Sequence, residues 1–312
     1  MNLCLNILEI ICILFLIIFI SVCVISFIEN RKLVVSPYII QDPLIPHSFD
    51  GFKIVHLTDM HNTTFGKNNE KLIKLINDLS PDIIVVTGDM IIGTPNTDVS
   101  TASDTMNRLT GIAPVYFSMG NHELRVSRYR DRYGDMWDRF ISSLSPDIHK
   151  LFDSSDEIVR NGQKIFIHGL SLTPKMYTRF KDVRMPKQHL KKRFGISNEN
   201  EFHIFLAHNP DYFKDYANWG AKLIFSGHVH GGIVRLPFFG GVISPKMKLF
   251  PPYDKGLFEI SNKYMILSGG LGNHTINFRL NNLPEVVYVT LYNSSTSKAF
   301  KRNNTCHQPD QI

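Results

Sequence analysis

Five apolar runs that each end beside Asp, Asn or His constrain this chain more than any other feature of its sequence. They cover residues 53–57, 82–87, 114–119, 203–207 and 222–226. The runs are rich in β-branched or aromatic residues and are bounded by Gly, Pro, Asp or Asn, which is typical of buried strands. Residues 69–79 have the apolar spacing of a helix. Alternating strands and helices predict an α/β core with its site in loops beyond the carboxyl ends of the strands.

The polar residues after these runs are of types that bind metal ions through oxygen or imidazole nitrogen. They are Asp59, His61, Asp89, Asn121, His208, His228 and His230, with His122 directly after Asn121. Two divalent metals need about this many donors. Because no thiolate is among them, the set suits manganese, iron or zinc in an open catalytic site rather than a closed structural zinc site.

Less specific interpretations exist for single members of this set. A lone His in a strand is usually a hydrogen-bonded core residue, and we expect this of His56 and His203. Asp89 and Asn121 each follow a strand beside a glycine, where either could form a turn. The metal interpretation is favoured because all the motifs occur together and in order.

The motifs resemble those of the calcineurin-like metallophosphoesterases over residues 45–292. Residues 231–237 and 250–257 resemble the membrane-anchored bacterial subgroup related to YkuE and YaeI. The resemblance implies an α/β fold, a four-layer α/β/β/α sandwich in which two mixed sheets face each other. It also implies hydrolysis of a phosphate ester.

The resemblance further implies a division of the ligands between two metals. Asp59, His61 and His230 would hold one metal, Asn121, His208 and His228 the other, and Asp89 would bridge both. A water shared by two close metals becomes a nucleophile near neutral pH. His122 would act as proton donor or charge stabiliser, held near the second metal by its neighbour.

Two residues are weaker candidates for contacts with the substrate. Arg125, in a cluster of arginines after His122, could form a rim that captures the phosphate or belong to a covering helix. His168, at the end of a further strand-like run, has a structural interpretation beside a substrate or supporting role.

The amino terminus predicts a membrane anchor. Residues 10–28 form an uncharged apolar run of 19 residues, long enough to span a bilayer as a helix. No small-residue cleavage motif follows, so we expect residues 1–28 to be an uncleaved transmembrane helix. Arg31 and Lys32 come next and favour a cytoplasmic catalytic domain, although two charges leave the orientation open.

The rest of the chain predicts one domain at 45–293, between a juxtamembrane connector at 29–44 and a polar, disordered tail at 294–312. The net charge is +6, and the stretch from Lys175 to Arg193 holds eight basic residues against one acid. This stretch could dock on anionic lipid or be a solvated basic surface.

We therefore expect a membrane-anchored, dinuclear-metal phosphodiesterase with a lipid-linked or cell-envelope substrate. A phosphomonoesterase on the same site, a nuclease and a non-catalytic membrane-bound binding protein are the alternatives. Nucleic acid is the less favoured partner, because a nuclease would prefer a large soluble groove to a tether. Manganese, zinc and iron are equally compatible with the donors.

Overall fold

Strands and helices alternate along the chain, as the apolar pattern predicts. The computed structural model describes residues 2–178, 183–232, 235–236, 240–242, 249–273 and 278–295. The strands are β1 (Val34–Asp42), β2 (Phe52–Leu57), β3 (Ile83–Val86), β4 (Val115–Phe117), β5 (Ile148–Lys150), β6 (Ser154–Arg160), β7 (Gln163–Leu170), β8 (His203–Ala207), β9 (Leu223–Ser226), β10 (Arg235–Leu236), β11 (Gly240–Gly241), β12 (Gly256–Ile260), β13 (Lys263–Leu267) and β14 (Glu285–Asn293). The helices are α1 (Asn2–Glu29), α2 (Glu70–Leu79), α3 (Ser100–Leu109), α4 (Asn121–Arg128), α5 (Arg130–Tyr133), α6 (Met136–Ser143), α7 (His189–Phe194) and α8 (Phe213–Trp219). All five predicted strands are confirmed, as β2, β3, β4, β8 and β9.

Two mixed six-stranded sheets form the framework. The first has the order β1-β14-β2-β3-β4-β5 and the second the order β12-β13-β9-β8-β7-β6. β2 to β5 run parallel, as do β7, β8, β9 and β13. The carboxyl ends of neighbouring parallel strands meet at one edge of each sheet, which places the predicted donors there.

The two sheets pack face to face over a buried apolar core. Ile54 and Val85 of the first sheet belong to the same cluster as Ile167 and Leu206 of the second, and all four are fully buried. Each strand contributes alternate residues to this core, because successive side chains of a strand point to opposite faces.

Helices cover the outer face of each sheet. Val86 of the first sheet packs in a second core with Leu72 of α2 and Met106 of α3. Phe205 of the second sheet packs in a third core with Tyr216 of α8. The predicted four-layer α/β/β/α sandwich is therefore confirmed, and it explains why the central strands are apolar on both faces.

The amino-terminal run is helical and stands apart from the sandwich. Residues Asn6–Glu29 are apolar enough and long enough to cross a bilayer. Large side chains such as Phe15 and Phe19 are exposed by 70% and 66%, whereas Ser26 near the carboxyl end is buried.

The segment expected as a connector is largely a strand of the first sheet. Residues 34–42 form β1, which pairs in parallel with β14 from Val34 opposite Glu285 to Asp42 opposite Asn293. Pro37 made this segment resemble a linker, but β1 lies at the sheet edge, where a residue without an N–H is tolerated. The predicted tail lies almost entirely outside the described residues, which end at 295.

The basic stretch from Lys175 to Arg193 divides its side chains between core and surface. Met176, Met185 and Leu190 are buried in the core beside α8. Among the described basic residues, Arg193 is half-buried and the other five are exposed, and residues 179–182 lie outside the described part. Met176, Met185 and Leu190 therefore stabilise the fold and are not free to contact an anionic surface.

Candidate metal centre

Strand ends from both sheets bring the predicted donors together. Asp59 and His61 follow β2, Asp89 follows β3, Asn121 and His122 begin α4 after β4, His208 follows β8, and His228 and His230 follow β9. Gly120 makes the approach of two loops possible, because a Cβ there would lie 2.2 Å from Oδ1 of Asp89. Only glycine fits at this position.

Three overlapping groups of buried donors result. Within each group the ligand atoms lie within 4.8 Å of one another. The groups are Asp59 with His61 and His230, Asp89 with His208 and His228, and His61 with Asp89 and His122. The nitrogen Nε2 of His208 is 3.2 Å from Oδ2 of Asp89, and Nε2 of His230 is 3.3 Å from Oδ1 of Asp59.

The backbone at the donors adopts an uncommon conformation. Asp59, His61, Asp89, His228 and His230 all have φ between 46° and 73°. Such left-handed backbone is uncommon for residues other than glycine and costs of order 1–3 kcal/mol per residue. The surrounding structure holds the backbone in this conformation, and the five side chains contribute to the overlapping donor groups.

Backbone carbonyls orient two of the imidazole rings. Nδ1 of His208 donates to the carbonyl of Thr87 at 2.8 Å, and Nδ1 of His230 donates to the carbonyl of Gly272 at 3.1 Å. In the neutral form of each ring, the Nε2 atom that faces the carboxylates carries the lone pair. Histidine ligands of metals are commonly oriented in this way.

Asn121 supplies a direct test of whether a cation fits here. Its amide oxygen Oδ1 is buried and accepts no hydrogen bond from the described residues. A buried carbonyl oxygen without a partner costs about 1–3 kcal/mol. Oxygen and imidazole donors suit a divalent cation, and such an ion would satisfy this oxygen, so the residues fit a metal.

The charged groups of the cluster shift one another's pKa values. Burial opposes ionisation of Asp89, yet neighbouring His208, His122 and His61 hold its pKa well below the usual range. Burial would lower the pKa of His208, but Asp89 and Asp59 raise that pKa to about 9. A proton on His208 thus offsets the negative charge of the carboxylates, as a bound cation would. If Nε2 of His208 binds a metal, this proton must be released.

Glu123 supports the cluster and was not predicted. Its buried carboxylate accepts the backbone N–H groups of Asp89, Met90, Ile91 and Gly120 at 2.7, 2.8, 3.2 and 3.0 Å. Burial and the nearby charge of Asp89 raise the pKa of Glu123 to about 7 although these donors favour the ionised form. The available signal was its position three residues after Gly120, which is the spacing of a capping box.

His122 projects one nitrogen toward the cluster. Its Nδ1 accepts the N–H of Gly93 at 2.5 Å, and its Nε2 lies 3.9 Å from Oδ2 of Asp89. Because Nδ1 acts as an acceptor, the neutral ring carries its hydrogen on Nε2. In this neutral form His122 presents an N–H donor toward the cluster.

A cavity of about 450 Å³ adjoins the cluster at Asn121. Arg125 lines it, as the rim hypothesis requires, together with Arg128 and Arg132. Tyr177 also lines it, and its buried hydroxyl makes no hydrogen bond to the described residues. Burial, with the nearby charge of Asp89, raises the pKa of Tyr177 well above its usual value, so the hydroxyl keeps its proton.

His168 is not brought to the cluster. Its Nδ1 is 2.6 Å from Oγ of Ser155 and its Nε2 is 3.0 Å from Nδ1 of His203. The ring contacts Trp219 of α8 at a centroid distance of 5.0 Å, so it faces the helices outside the second sheet. β7 places His168 opposite Phe205 in the middle of β8, short of the loop that carries the donors. The structural interpretation applies to His168, as expected for His203.

This sandwich, with His, Asp and Asn side chains gathered at its strand ends, is that of a metal-dependent phosphoric ester hydrolase. The chain belongs to the calcineurin-like phosphoesterase family, whose sequence model matches residues 52–232. It is 27% identical to YkuE of Bacillus subtilis, an uncharacterized metallophosphoesterase, over 85% of this chain and 87% of YkuE. It is 26% identical to the phosphodiesterase YaeI of Escherichia coli over 77% and 82% of the two chains. It is 27% identical to the UDP-2,3-diacylglucosamine pyrophosphatase LpxG of Chlamydia muridarum over 71% and 78%.

Proposed function

We propose that this protein is a membrane-anchored phosphodiesterase that works with two divalent metal ions. The observation that carries the proposal is the overlap of the three donor groups beside the unpartnered amide oxygen of Asn121: the group of His61, Asp89 and His122 shares His61 with one neighbouring group and Asp89 with the other. In this proposal Asp59, His61 and His230 would hold one metal, Asn121, His208 and His228 would hold the other, and Asp89 would be shared by both. One carboxylate between two dications offsets part of their repulsion.

The chain's own residues complete the chemistry. A pair of divalent metals supplies Lewis acidity and lowers the pKa of a coordinated water. The Nε2–H of His122 donates to an oxygen of the phosphate, and this stabilises the charge that develops on that oxygen or on the leaving group. Glu123 fixes the loop of Asp89, so that the donors need no rearrangement when substrate binds.

The cavity beside Asn121 supports a diester or a diphosphate over a simple monoester. A second substituent on phosphorus needs space next to the metals, and the cavity supplies about 450 Å³ of it. Arg125 carries a permanent charge that attracts a phosphate oxygen, and Tyr177 offers a hydroxyl donor. The names of YaeI and LpxG, a phosphodiesterase and a pyrophosphatase, agree with this class.

The helix α1 supports a location at a membrane, with a lipid-linked or cell-envelope substrate. Its exposed apolar side chains require a nonaqueous surrounding. Arg31 and Lys32 follow the helix directly and favour a catalytic domain on the cytoplasmic side. Protease added to intact spheroplasts should leave the domain uncut, and rapid cleavage there would reverse the orientation.

The test uses the full-length protein in detergent, loaded in turn with manganese, zinc and iron. We expect hydrolysis of bis-p-nitrophenyl phosphate to exceed that of p-nitrophenyl phosphate, and to disappear in Asp89→Ala. A preference for the monoester would identify a phosphomonoesterase instead. A metal-loaded protein that hydrolyses neither compound nor any diphosphate would contradict the proposal.

A further inference from the structure

The last turn of α1 is hydrogen-bonded to the loops behind the candidate metal centre. Ser26 is 2% exposed, and its Oγ accepts the backbone N–H of Arg279 at 2.9 Å. The carboxylate of Glu29 accepts the N–H of Asn282 at 3.4 Å. Oδ1 of Asn30 accepts from Nδ2 of Asn273 at 2.5 Å. The helix therefore docks on the domain through one turn at its end.

Arg279 connects this turn to a glycine-rich loop. Its side chain is 1% exposed, and one guanidinium nitrogen donates to the carbonyls of Gly269, Gly270 and Gly272 at 3.1, 3.3 and 2.7 Å. A second nitrogen donates to the carbonyl of Asn282 at 3.1 Å. A buried guanidinium surrounded by carbonyl oxygens holds its loop in one conformation, because each lost contact leaves a charged donor unsatisfied.

The same loop supports two of the metal-ligand candidates. The N–H of Gly272 donates to the carbonyl of Asp59 at 2.7 Å, and the carbonyl of Gly272 accepts from Nδ1 of His230 at 3.1 Å. A Cβ at Gly270 would lie 2.7 Å from Cβ of Asp59, so the loop and the Asp59 segment are in close contact. Nδ2 of Asn282 donates to the carbonyl of His230 at 2.6 Å.

The carbonyl oxygen of Gly272 joins the helix to the centre, in addition to the link through Asn282. The carbonyl of Gly272 accepts hydrogen bonds from the guanidinium of Arg279 and from the imidazole of His230. The backbone N–H of Arg279 donates to Oγ of Ser26. Among the described residues, Arg279 and Gly272 form one short route from Ser26 to His230, and Asn282 forms another from Glu29.

We propose that the last turn of α1, acting through Arg279, is a positioning element for the metal held by Asp59, His61 and His230. The proposal rests on the proposed function for the identity of the centre. Ser26 lies two residues before Ile28, the last residue of the apolar run, so the docked turn lies where α1 leaves the bilayer. The helix then positions a ligand of the centre as well as anchoring the protein, and it holds His230 close to the membrane surface.

The experiment compares Ser26→Ala, Ser26→Thr and Ser21→Ala in the full-length protein in detergent. Ser21 is a matched control, because among the described residues its hydroxyl donates to the carbonyl of Ile17 within the exposed helix. Binding of Mn²⁺ is measured by equilibrium dialysis. The His230 half of the centre is the proposed site of Asp59, His61 and His230, and the Asn121 half is that of Asn121, His208 and His228. The variants His230→Ala and Asn121→Ala identify which measured affinity belongs to which half.

We expect Ser26→Ala to weaken the His230 half by about tenfold, the lower end of the range for residues that support a ligand. The Asn121 half should change less, Ser26→Thr should restore the affinity, and Ser21→Ala should match the parent protein. Asn30→Ala is the second variant if Ser26→Ala fails to fold, and it should shift the same half. Equal weakening of both halves, or unchanged affinities in both variants, would overturn the proposal.

Hydrolysis separates this inference from the proposed function. If the parent protein binds two metals but cleaves no phosphate ester, the proposed function is wrong. The change in Mn²⁺ affinity in Ser26→Ala then still tests the positioning role. If the parent protein binds no divalent metal, both the proposed function and the positioning role are wrong.

Discussion

The Nδ1 atom of His122 lies 2.5 Å from the backbone nitrogen of Gly93 and accepts its hydrogen bond. This contact fixes the neutral tautomer with its hydrogen on Nε2, the nitrogen 3.9 Å from the carboxylate of Asp89. A side chain held by backbone at one nitrogen presents the other to the substrate with little loss of conformational freedom.

Replacement of His122 by Asn should lower kcat by a factor of about 10² to 10³, because removal of one hydrogen-bond donor that stabilises the developing charge costs about that much. The metal content should stay at the parent value, since the donors of both groups remain. Metal analysis and steady-state kinetics on one preparation check both expectations. A fully metallated His122→Asn protein with normal kcat would remove His122 from the reaction.

Replacement of Glu123 by Gln should destabilise the folded protein by about 1–3 kcal/mol. Four backbone N–H groups point at the carboxylate, and an amide NH₂ in place of one oxygen would leave some of them without an acceptor. Metal affinity should fall as well, because the Asp89 loop loosens. Thermal unfolding with and without metal measures both effects, and Glu70→Gln at the exposed start of α2 is the control. A Glu123→Gln protein as stable as this control would show that the loop does not depend on the carboxylate.

Replacement of Arg125 by Ala should raise KM by about tenfold and leave kcat nearly unchanged, if the cavity binds a phosphate oxygen of the ground state. Arg130→Ala is the matched control, because Arg130 forms an exposed ion pair with Asp138. The measurement is the dependence of the initial rate on substrate concentration for a diester. A fall in kcat at constant KM would place Arg125 in the transition state instead.

The stability of the domain should decrease below pH 6.5 in part because of His168. Burial, and then the nearby His203, lowers the pKa of His168 from 6.5 to about 3. The folded state keeps this ring neutral while the unfolded chain binds a proton below pH 6.5, so stability is complete above that pH and falls as the pH decreases. One such group contributes at most about 1.4 kcal/mol per pH unit.

Unfolding of His168→Gln, compared with the parent at pH 7 and pH 4.5, checks this contribution. The difference in stability between the two pH values should be smaller in the variant by about 2 kcal/mol. His149→Gln is a suitable control, since His149 lies at the surface with 43% of its side chain exposed. An identical pH dependence in His168→Gln and the parent would mean that this ring is not held neutral.

Removal of the metals should destabilise the protein, because ligand that binds only the folded state stabilises it by mass action. We expect excess chelator to abolish hydrolysis and to lower the melting temperature, and added manganese to restore both. Asp89→Ala should melt at the same temperature with or without manganese. A melting temperature of the parent protein that is insensitive to chelator would contradict a metal at these donors.

Local pattern predicted the elements that carry the donors. Strands β2, β3, β4, β8 and β9 follow from short apolar runs, because a strand covered on both faces must be apolar along its whole length. The donors at their ends were predicted for the same reason, since parallel strands collect their carboxyl ends at one edge.

The parts that were not predicted depend on contacts between distant segments. β1 pairs with β14 although about 250 residues separate the partners, and its proline made the segment resemble a connector. His168 has the sequence surroundings of a site residue, but the register of β7 turns it toward Trp219. Register is decided when the strands pair, and the apolar run around His168 did not show toward which neighbours its ring points.

By itself, the sequence determined the α/β class, the apolar amino-terminal run and the identity of the donors, because these depend on periodicity and side-chain chemistry. Only the tertiary structure decided how the donors are held. Glu123 beneath Asp89, the Gly272 carbonyl behind His230, and Arg279 between that loop and α1 act through geometry. An imidazole or a carboxylate has its chemistry wherever it stands in a chain, whereas its orientation comes from neighbours that only folding brings within hydrogen-bond distance.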